Sequence, residues 1–333
     1  MTDQPADSGE DRLIARYFAP LATHPGAFGL ADDAAAIAPP PGCDLVLKAD
    51  AIVGGIHFFE NNPADAVAQK ALRVNLSDLA AKGAVPLGFL LSLALPQGVS
   101  ENWLAAFASG LKADIEQFNC PLFGGDTVKS PGAVMISIAA FGSVPHGTMV
   151  KRGGAKVGDR IVVTGTIGDA ALGLKLRQDS DAAARWKLDD AARQHLAQRY
   201  LVPQPRSAIA EILRTHASGA MDLSDGLAGD LTKMCRAAGV SADIDVGQVP
   251  LSAGALAALA AEPVLIEPIL TGGDDYEIAA AIPPARLAAF DAAAKAAGVA
   301  VADIGVVTTG SDAPKFVWNG RQLNFARRSF SHF

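Results

Sequence analysis

Aspartates that stand among glycine, serine and small apolar residues are the feature that most constrains this 333-residue chain. Surface aspartates are usually mixed with lysine and glutamate, whereas these share their segments with residue types of protein interiors. A carboxylate that leaves water costs free energy unless it is paired or bound to a metal. We therefore expect these segments to form paired or metal-binding sites. They contain Asp32, Asp33, Asp50, Asp78, Asp126, Asp222, Asp225, Asp274 and Asp275.

Strand-like and helix-like segments alternate along both halves of the chain, which predicts an α/β or α+β fold. Asn62 before Pro63, and Ser100 before Glu101, are typical helix starts. In the first half we expect strands at 45–50, 88–95, 122–123 and 133–142, and helices at 10–18, 62–82 and 100–118. In the second half we expect strands at 160–164, 220–222, 276–282 and 302–307, and helices at 169–177, 189–200, 207–215, 226–238 and 284–297.

The length of the chain suggests two domains, at ~100–200 residues each. A glycine-rich turn at 153–158 places the division near residue 150. We predict a disordered tail over 1–9, an N-terminal domain over 10–150 and a C-terminal domain over 151–333.

Composition and charge exclude several classes of function. The net charge is −7 and no basic run occurs, which argues against binding to nucleic acid. The longest apolar run, at 84–96, is shorter than the ~20 residues that a membrane helix needs. Three widely separated cysteines and an acidic N-terminus that does not resemble a signal peptide predict a cytoplasmic protein.

The aspartate segments indicate chemistry on phosphates held through a metal. Magnesium takes oxygen ligands from one or two carboxylates together with waters and substrate phosphates. No Gly-x-x-x-x-Gly-Lys-Ser/Thr sequence is present, so phosphates are not held by a P-loop. For each segment alone, a turn or a helix cap is the simpler interpretation. Recurrence of the pattern along the whole chain favours the metal.

The order and spacing of these segments resemble the thiamine-monophosphate kinase family, which is related to aminoimidazole ribonucleotide synthetase, selenophosphate synthetase and a hydrogenase maturation protein. The resemblance extends from about Asp32 to the terminal His332-Phe333. The segments that carry it are Asp32-Asp33-Ala34-Ala35, Gly55-Ile56-His57-Phe58, Asn75-Leu76-Ser77-Asp78-Leu79-Ala80, Gly124-Gly125-Asp126-Thr127, Arg152-Gly153-Gly154-Ala155, Asp222-Leu223-Ser224-Asp225-Gly226-Leu227 and Gly272-Gly273-Asp274-Asp275-Tyr276-Glu277.

The resemblance implies an enzyme that transfers a phosphoryl group from ATP to thiamine phosphate directly, using several magnesium ions. It implies an N-terminal domain that binds ATP and magnesium and forms a homodimer through its mixed sheet, and a C-terminal α/β domain that completes the cleft. It assigns magnesium to Asp33, Asp50, Asp78, Asp126, Asp222 and Asp225, of which Asp126, Asp222 and Asp225 are the catalytic candidates. It assigns ATP to Gly125, Asp126, Arg152 and Ser224, and thiamine phosphate to His57, Asp274 and Phe330.

Three positions depart from the family pattern, namely Ala31 in place of glycine, Lys48-Ala49 in place of hydroxyl residues, and Asp274 in place of glutamate. Alternate residues of a strand share a face, so Lys48 and Asp50 are expected to point the same way. We expect Lys48 to pair with a carboxylate or a phosphate and to replace part of the charge of one metal ion. The alternative is a lysine that extends into solvent at the rim of the cleft.

Two other functions stay open at this level. One is a different ATP-using reaction of the same superfamily. The reactive N-terminal cysteine of selenophosphate synthesis is absent, and so is the C-terminal cysteine of the hydrogenase maturation protein. The other is a non-catalytic regulator that binds a nucleotide or a metal, which would be expected to lack some of the aspartates.

Overall fold

The computed structural model describes residues 9–329, and these divide into two compact units. The first unit comprises residues up to Leu76 together with Pro86–Ser143. The second comprises Ser77–Val85 and the chain from Val144 onward. A short segment of the first half therefore belongs to the second unit. The division at residue 150 and the tail over 1–9 stay predictions, and residues 1–8 lie outside the described part.

The first unit contains a four-stranded mixed sheet with the strand order β1-β4-β2-β3. Strands β2 and β3 run parallel, with Ser92 opposite Asp126, and β3 is at the edge of the sheet. The elements of this half are α1 Gly9–Leu13, β1 Cys43–Val53, α2 Ala64–Ala81, β2 Val85–Pro96, α3 Glu101–Phe118, β3 Leu122–Ser130 and β4 Met135–Pro145.

Local sequence signals fix the ends of α3. The Ser100 hydroxyl accepts a hydrogen bond from the Trp103 backbone N–H at 3.1 Å, which satisfies one of the unpaired donors of the first turn. The helix ends at Asn119, which adopts a left-handed conformation with φ of 49°. Both ends agree with the predicted helix over 100–118.

The two faces of β1 differ in exposure, as the alternation of a strand requires. Val46 and Ile52 are buried on one face, and Lys48 and Asp50 lie on the same side of the strand. On the opposite face, Leu47 is 67% exposed. The sheet therefore presents one apolar face that nothing in this unit buries completely.

The second unit is built around a seven-stranded mixed sheet with the order β11-β10-β7-β9-β5-β8-β6. Its strands are β5 Arg160–Thr164, β6 Gly219–Leu223, β7 Ser241–Asp245, β8 Glu277–Ile282, β9 Val301–Thr308, β10 Lys315–Trp318 and β11 Arg321–Gln322. Its helices are α4 Asp169–Gln178, α5 Ala182–Arg185, α6 Asp190–Leu201, α7 Ala210–His216, α8 Leu227–Ala238, α9 Ala253–Ala261, α10 Ile266–Thr271 and α11 Pro284–Ala296.

Central strands of this sheet are buried on both faces. In β5, Ile161 and Val163 belong to one apolar core while Val162 belongs to another on the opposite side. Leu172 of α4 and Leu231 of α8 pack in the first core. Leu213 of α7 and Phe290 of α11 pack in the second core. Helices on both faces of the sheet confirm the predicted α/β class.

Strands β7, β10 and β11 were not predicted, and among the strands that were predicted the largest error in length concerns β3. Its expected extent was 122–123, with a turn at Gly124-Gly125-Asp126-Thr127, but the strand continues through this sequence to Ser130. Two glycines and an aspartate have low strand propensity, and pairing with β2 overrides that preference. Asp126 is therefore a side chain in the middle of an edge strand, and it does not close the strand with a turn.

The state of the cysteines and the length of the apolar helices were the other features considered in the sequence. Cys43, Cys120 and Cys235 are all free. Burial raises the pKa of the Cys120 thiol to about 12 and that of Cys235 to about 11, so both are neutral thiols at pH 7. Among residues 9–329, no helix is both long and apolar enough to cross a membrane.

Candidate active site

A cavity of about 800 Å³ in the first unit brings two of the predicted aspartate segments together. Asp32 and Asp33 line it from the segment before β1, and Gly125 and Asp126 line it from β3. Leu47 and other apolar side chains of the sheet form the remainder of the wall. Asp33 and Asp126 thus both line one space large enough for a small ligand.

Glycine at position 125 allows β3 to approach β2 closely. Leu91 and Gly125 are opposite each other in the parallel pairing. A Cβ atom at Gly125 would lie 1.7 Å from the Leu91 carbonyl oxygen, whereas one at Gly124 would lie 3.5 Å from the Leu90 side chain. The neighbouring glycines therefore differ in role, and Gly125 sets the position of Asp126 next to it.

His57 lies in a turn that follows β1 and is held at two points. The Val53 backbone N–H donates to His57 Nδ1 at 3.0 Å, so the neutral imidazole carries its proton on Nε2. The Lys70 ammonium, which is almost fully buried in α2, donates to the His57 carbonyl at 3.1 Å. The ring therefore has a fixed tautomer and a backbone anchored to a helix, which suits a residue that positions a ligand.

Asp50 lies on the opposite face of β1 from the leucines that line the cavity. Its carboxylate pairs with the Lys48 ammonium at 3.0 Å, with the two side chains 40% and 27% exposed. The two side chains point the same way, as the strand period predicts. Lys48 thus pairs with a carboxylate, as expected, but this carboxylate is that of Asp50 and does not line the cavity of Asp33 and Asp126.

In the second unit, two loops are joined backbone to backbone around Asp225. The Asp274 N–H donates to the Ser224 carbonyl at 2.9 Å, and the Tyr276 N–H donates to the Leu223 carbonyl at 2.8 Å. Gly273 makes this approach possible, because a Cβ there would lie 2.4 Å from the Ser224 oxygen. The structure thus brings Ser224, Asp225 and Asp274 together.

Asp222 precedes this turn as the fourth residue of β6 and is 4% exposed. It stands opposite Ile278 of the neighbouring strand β8. Gly226 follows Asp225 with φ of 105°, a conformation that favours glycine, and α8 begins at the next residue. The strand, the turn and the helix start therefore hold Asp222 and Asp225 at one end of β6.

Lys233 of α8 holds Asp225 in place. Its ammonium contacts the Asp225 carboxylate and lies 2.8 Å from the buried Asp230 carboxylate. Asp230 also accepts the Asp225 backbone N–H at 2.9 Å. Burial raises the pKa of the Asp230 carboxyl. For Lys233, burial acts to lower the pKa of the ammonium, but the hydrogen bonds and charges of Asp225 and Asp230 outweigh burial and the pKa is raised. Asp225 is thus paired with a lysine of α8, the helix that begins two residues after it.

Beneath the Asp274 loop lies a buried network of charges. Glu277 is fully buried and accepts hydrogen bonds from Arg199 at 2.8 Å and from Arg206 at 2.6 Å. Asp275 accepts the Gly168 N–H at 2.7 Å, and burial raises its pKa to about 8. These contacts hold the loop in place, so the Asp275-Tyr276-Glu277 segment has a structural role in addition to the role that the family motif implies.

The remaining predicted residues lie elsewhere or outside the described part. Asp78 is in α2, within the short segment that joins the second unit. Arg152 lies near the start of β6, since a Cβ at Gly154 would lie 1.8 Å from the Ser218 oxygen. The structure places it at the opposite end of β6 from Ser224. Phe330 lies outside the described residues.

The carboxylates suit magnesium that is bound together with phosphates. Within residues 9–329, no three histidine, cysteine, aspartate or glutamate side chains form a ready-made metal cage. Magnesium does not need one, because one or two carboxylates with waters and phosphate oxygens suffice. Asp33 and Asp126 at one cavity fit this requirement.

Reasoning from the sequence missed Lys233 and the pair of arginines on Glu277. Lys233 follows Asp230 by three residues in a predicted helix, and this spacing brings side chains together. The Asp230–Lys233 pair was therefore predictable from the sequence. Arg199 and Arg206 are more than seventy positions from Glu277, and no local pattern indicates them.

Two family models cover most of the chain. Residues 31–144 match the N-terminal domain of AIR synthase related proteins, and residues 156–315 match their C-terminal domain. The chain is 41% identical over 323 residues to the thiamine-monophosphate kinase of Caulobacter vibrioides, covering 96% of this chain and 89% of the relative.

Solved structures agree with this relationship. The crystal structure of thiamine-monophosphate kinase from Stenotrophomonas maltophilia is 34% identical with a TM-score of 0.81, covering 94% of this chain and 96% of that one. The structure of AaThiL complexed with AMPPCP and TMP is 29% identical with a TM-score of 0.75, covering 92% of this chain and 97% of that one. From its two domains, its aspartate motifs and these relatives, the chain belongs to the thiamine-monophosphate kinase family of AIR synthase related proteins.

Proposed function

We propose that this protein phosphorylates thiamine phosphate with ATP to give thiamine diphosphate and ADP. The observation that carries the proposal is the cavity that Asp33, Gly125 and Asp126 line together, in a chain of this family. A relative solved with AMPPCP and TMP supports both substrates. Membership of the family favours this reaction over the other ATP-using reactions considered.

The transfer requires little acid–base chemistry. The second pKa of a phosphate monoester is ~6, so the acceptor is largely a dianion at neutral pH. Its oxygen attacks the γ-phosphorus of ATP while the bond from that phosphorus to the bridging oxygen breaks, and ADP leaves with the electron pair. The principal obstacle is repulsion between phosphates, so positioning and charge neutralisation dominate.

The residues divide this work between binding and positioning. Magnesium, when bound, supplies the positive charge that neutralises the phosphates. Asp33 and Asp126 would hold it in the first unit, and Asp222 and Asp225 in the second. The assignments of Asp50 and Asp78 to further ions, and of Arg152 to ATP, rest on the motif alone.

For the thiamine end, we assign His57, Asp274 and Phe330. The neutral ring of His57 carries its proton on Nε2, because its Nδ1 accepts a backbone hydrogen bond. Asp274 has φ of 74°, a conformation uncommon for a residue with a side chain, and the loop is fixed by its bond to Ser224. A carboxylate held in this way suits the cationic ring of thiamine.

Incubation of the purified protein with ATP, magnesium and thiamine phosphate, followed by chromatography, tests the proposal. Thiamine diphosphate should form in proportion to enzyme, and excess chelator should stop its formation. Free thiamine in place of its phosphate serves as the control acceptor. Product from free thiamine and none from the phosphate would contradict the proposed acceptor, and full turnover in chelator would contradict the metal.

We also propose that the protein is a cytoplasmic homodimer formed through the sheet of the first unit. The support is the exposed apolar face, where Leu45, Leu47 and Leu90 are 42%, 67% and 37% exposed. These leucines also line the cavity of Asp33 and Asp126, so a second copy packed on them would remove them from water and cover that side of the cavity. Sedimentation should give twice the monomer mass, and Leu47→Asp should shift it toward monomer. A monomeric wild-type protein would contradict the assembly.

A further inference from the structure

Two of the six predicted magnesium ligands are already paired with lysine. Lys48 lies 3.0 Å from Asp50 in the first unit. Lys233 contacts Asp225 in the second unit. A lysine ammonium is a compact positive charge on a flexible stem, so it can share a carboxylate with a metal ion or withdraw from it.

The pair at Asp225 is more strongly determined than an ordinary surface ion pair. Lys233 also binds Asp230, whose side chain is completely buried, while the ammonium and the Asp225 carboxylate are 37% and 36% exposed. A buried carboxylate that lost its cation would be costly, so Lys233 must stay near Asp230. Its positive charge therefore remains beside Asp225 whether or not a metal is bound.

The pair at Asp50 has a different origin but the same consequence. Lys48 and Asp50 are on one face of β1, so the strand geometry keeps them adjacent. The Lys48 ammonium has three N–H donors and no acceptor, so it cannot itself ligate a metal ion. Its positive charge therefore also stays beside Asp50.

We infer that Lys48 and Lys233 are built-in cations that supply part of the positive charge at Asp50 and Asp225, so that this enzyme binds magnesium more weakly at these two carboxylates than it would without the lysines. The inference rests on the proposed function, and it concerns positioning residues that need not touch substrate. Each lysine competes with a metal ion for the carboxylate that it pairs with, and its positive charge repels the metal ion. Removing either lysine should therefore strengthen metal binding.

The test counts metal ions directly. Binding of Mn²⁺ to the full chain with AMPPCP is measured by electron paramagnetic resonance for the wild type, Lys48→Thr and Lys233→Met. Each variant should bind one Mn²⁺ more tightly, by about two- to fivefold as expected for loss of a partly exposed charge pair, or should bind an additional ion. Turnover of both variants should also reach half its maximum at a lower magnesium concentration than in the wild type.

Matched variants separate this effect from general changes. Lys112→Met removes a lysine paired with Glu116 at 3.9 Å on the exposed side of α3, and it should leave Mn²⁺ binding unchanged. Lys233→Arg keeps the charge and should bind Mn²⁺ like the wild type. Because Lys233→Met leaves Asp230 buried without a cation, the double variant Asp230→Asn with Lys233→Met provides the same test in a neutral background.

The outcomes distinguish this inference from the proposed function. Mn²⁺ binding of Lys48→Thr and Lys233→Met that is unchanged or weaker than in Lys112→Met would overturn the inference, even if the wild type phosphorylates thiamine phosphate. A wild type that binds Mn²⁺ and AMPPCP but forms no thiamine diphosphate would instead contradict the proposed function. Tighter binding in both lysine variants, with melting temperatures near that of the wild type, would support the built-in cations.

Discussion

Replacing Gly125 by alanine should damage catalysis while the same change at Gly124 should not. The added methyl group at Gly125 would lie 1.7 Å from the Leu91 carbonyl oxygen and 2.7 Å from its carbonyl carbon. Both atoms are backbone of β2, so no side-chain rotation relieves the overlap. To restore a contact of 3.0 Å, β3 must move by about 1.3 Å at this point.

Such a shift affects both stability and turnover. Loss of about two backbone hydrogen bonds of the β2–β3 pairing, at ~1 kcal/mol each, would lower the free energy of unfolding by ~2 kcal/mol. Asp126 follows directly and moves with the strand. A displacement of ~1 Å in a catalytic group costs ~100-fold in rate. We expect Gly125→Ala to lose about that factor in kcat with ATP and thiamine phosphate.

Gly124→Ala is the matched control. Its methyl group would lie 3.5 Å from Leu90 Cδ2, an ordinary contact, so turnover and melting should stay close to the wild type. The assay is thiamine diphosphate formation at saturating substrates, with thermal unfolding followed by circular dichroism. If Gly125→Ala and Gly124→Ala have equal kcat and equal melting temperatures, the close strand approach does not position Asp126 and the reasoning is wrong.

Four further substitutions test the site and its surroundings. Asp126→Asn and Asp222→Asn should each remove most turnover with unchanged circular dichroism, because each loses the charge of a proposed metal ligand; near-normal kcat in both would show that they only form structure. Phe330→Ala should raise the KM for thiamine phosphate by about two- to thirtyfold, the equivalent of a cation–π contact, and the KM for ATP much less; equal changes in both constants would refute the contact. Burial raises the pKa of Asp275 to about 8, so this carboxyl holds its proton more tightly in the folded protein than in the unfolded chain. The protonated carboxyl therefore contributes its full stabilisation below about pH 4, and this contribution is lost as the pH rises through about 8. Urea unfolding at pH 5, 6.5 and 8 should therefore show a smaller decline of stability with pH in Asp275→Asn than in the wild type, and parallel declines would contradict the buried neutral carboxyl.

Elements with strong local signals were predictable from the sequence. Ser100 marks the start of α3, and the apolar run of β5 is a strand buried on both faces. The side of β1 that carries Lys48 and Asp50 follows from the period of a strand. In each case the decisive information lies within a few residues.

Features that depend on distant partners were not predictable in this way. The strand character of Gly124-Gly125-Asp126 comes from pairing with β2, since the residues themselves favour a turn. The two arginines on Glu277 come from α6 and the segment that follows it, more than seventy positions away. The sharing of residues 77–85 with the second unit is likewise a property of the folded chain.

The position of β3 at the edge of its sheet affects how the site behaves in time. An edge strand is held by backbone pairing on one side only, so it can open at a lower free energy than the strands inside the sheet. Amide hydrogens of 124–127 should then exchange with solvent well before those in the middle of β2. A bound nucleotide would slow that exchange. The strand that carries Asp126 would thus be the first part of the sheet to lose order on warming, and activity would disappear at temperatures where most of the protein is still folded.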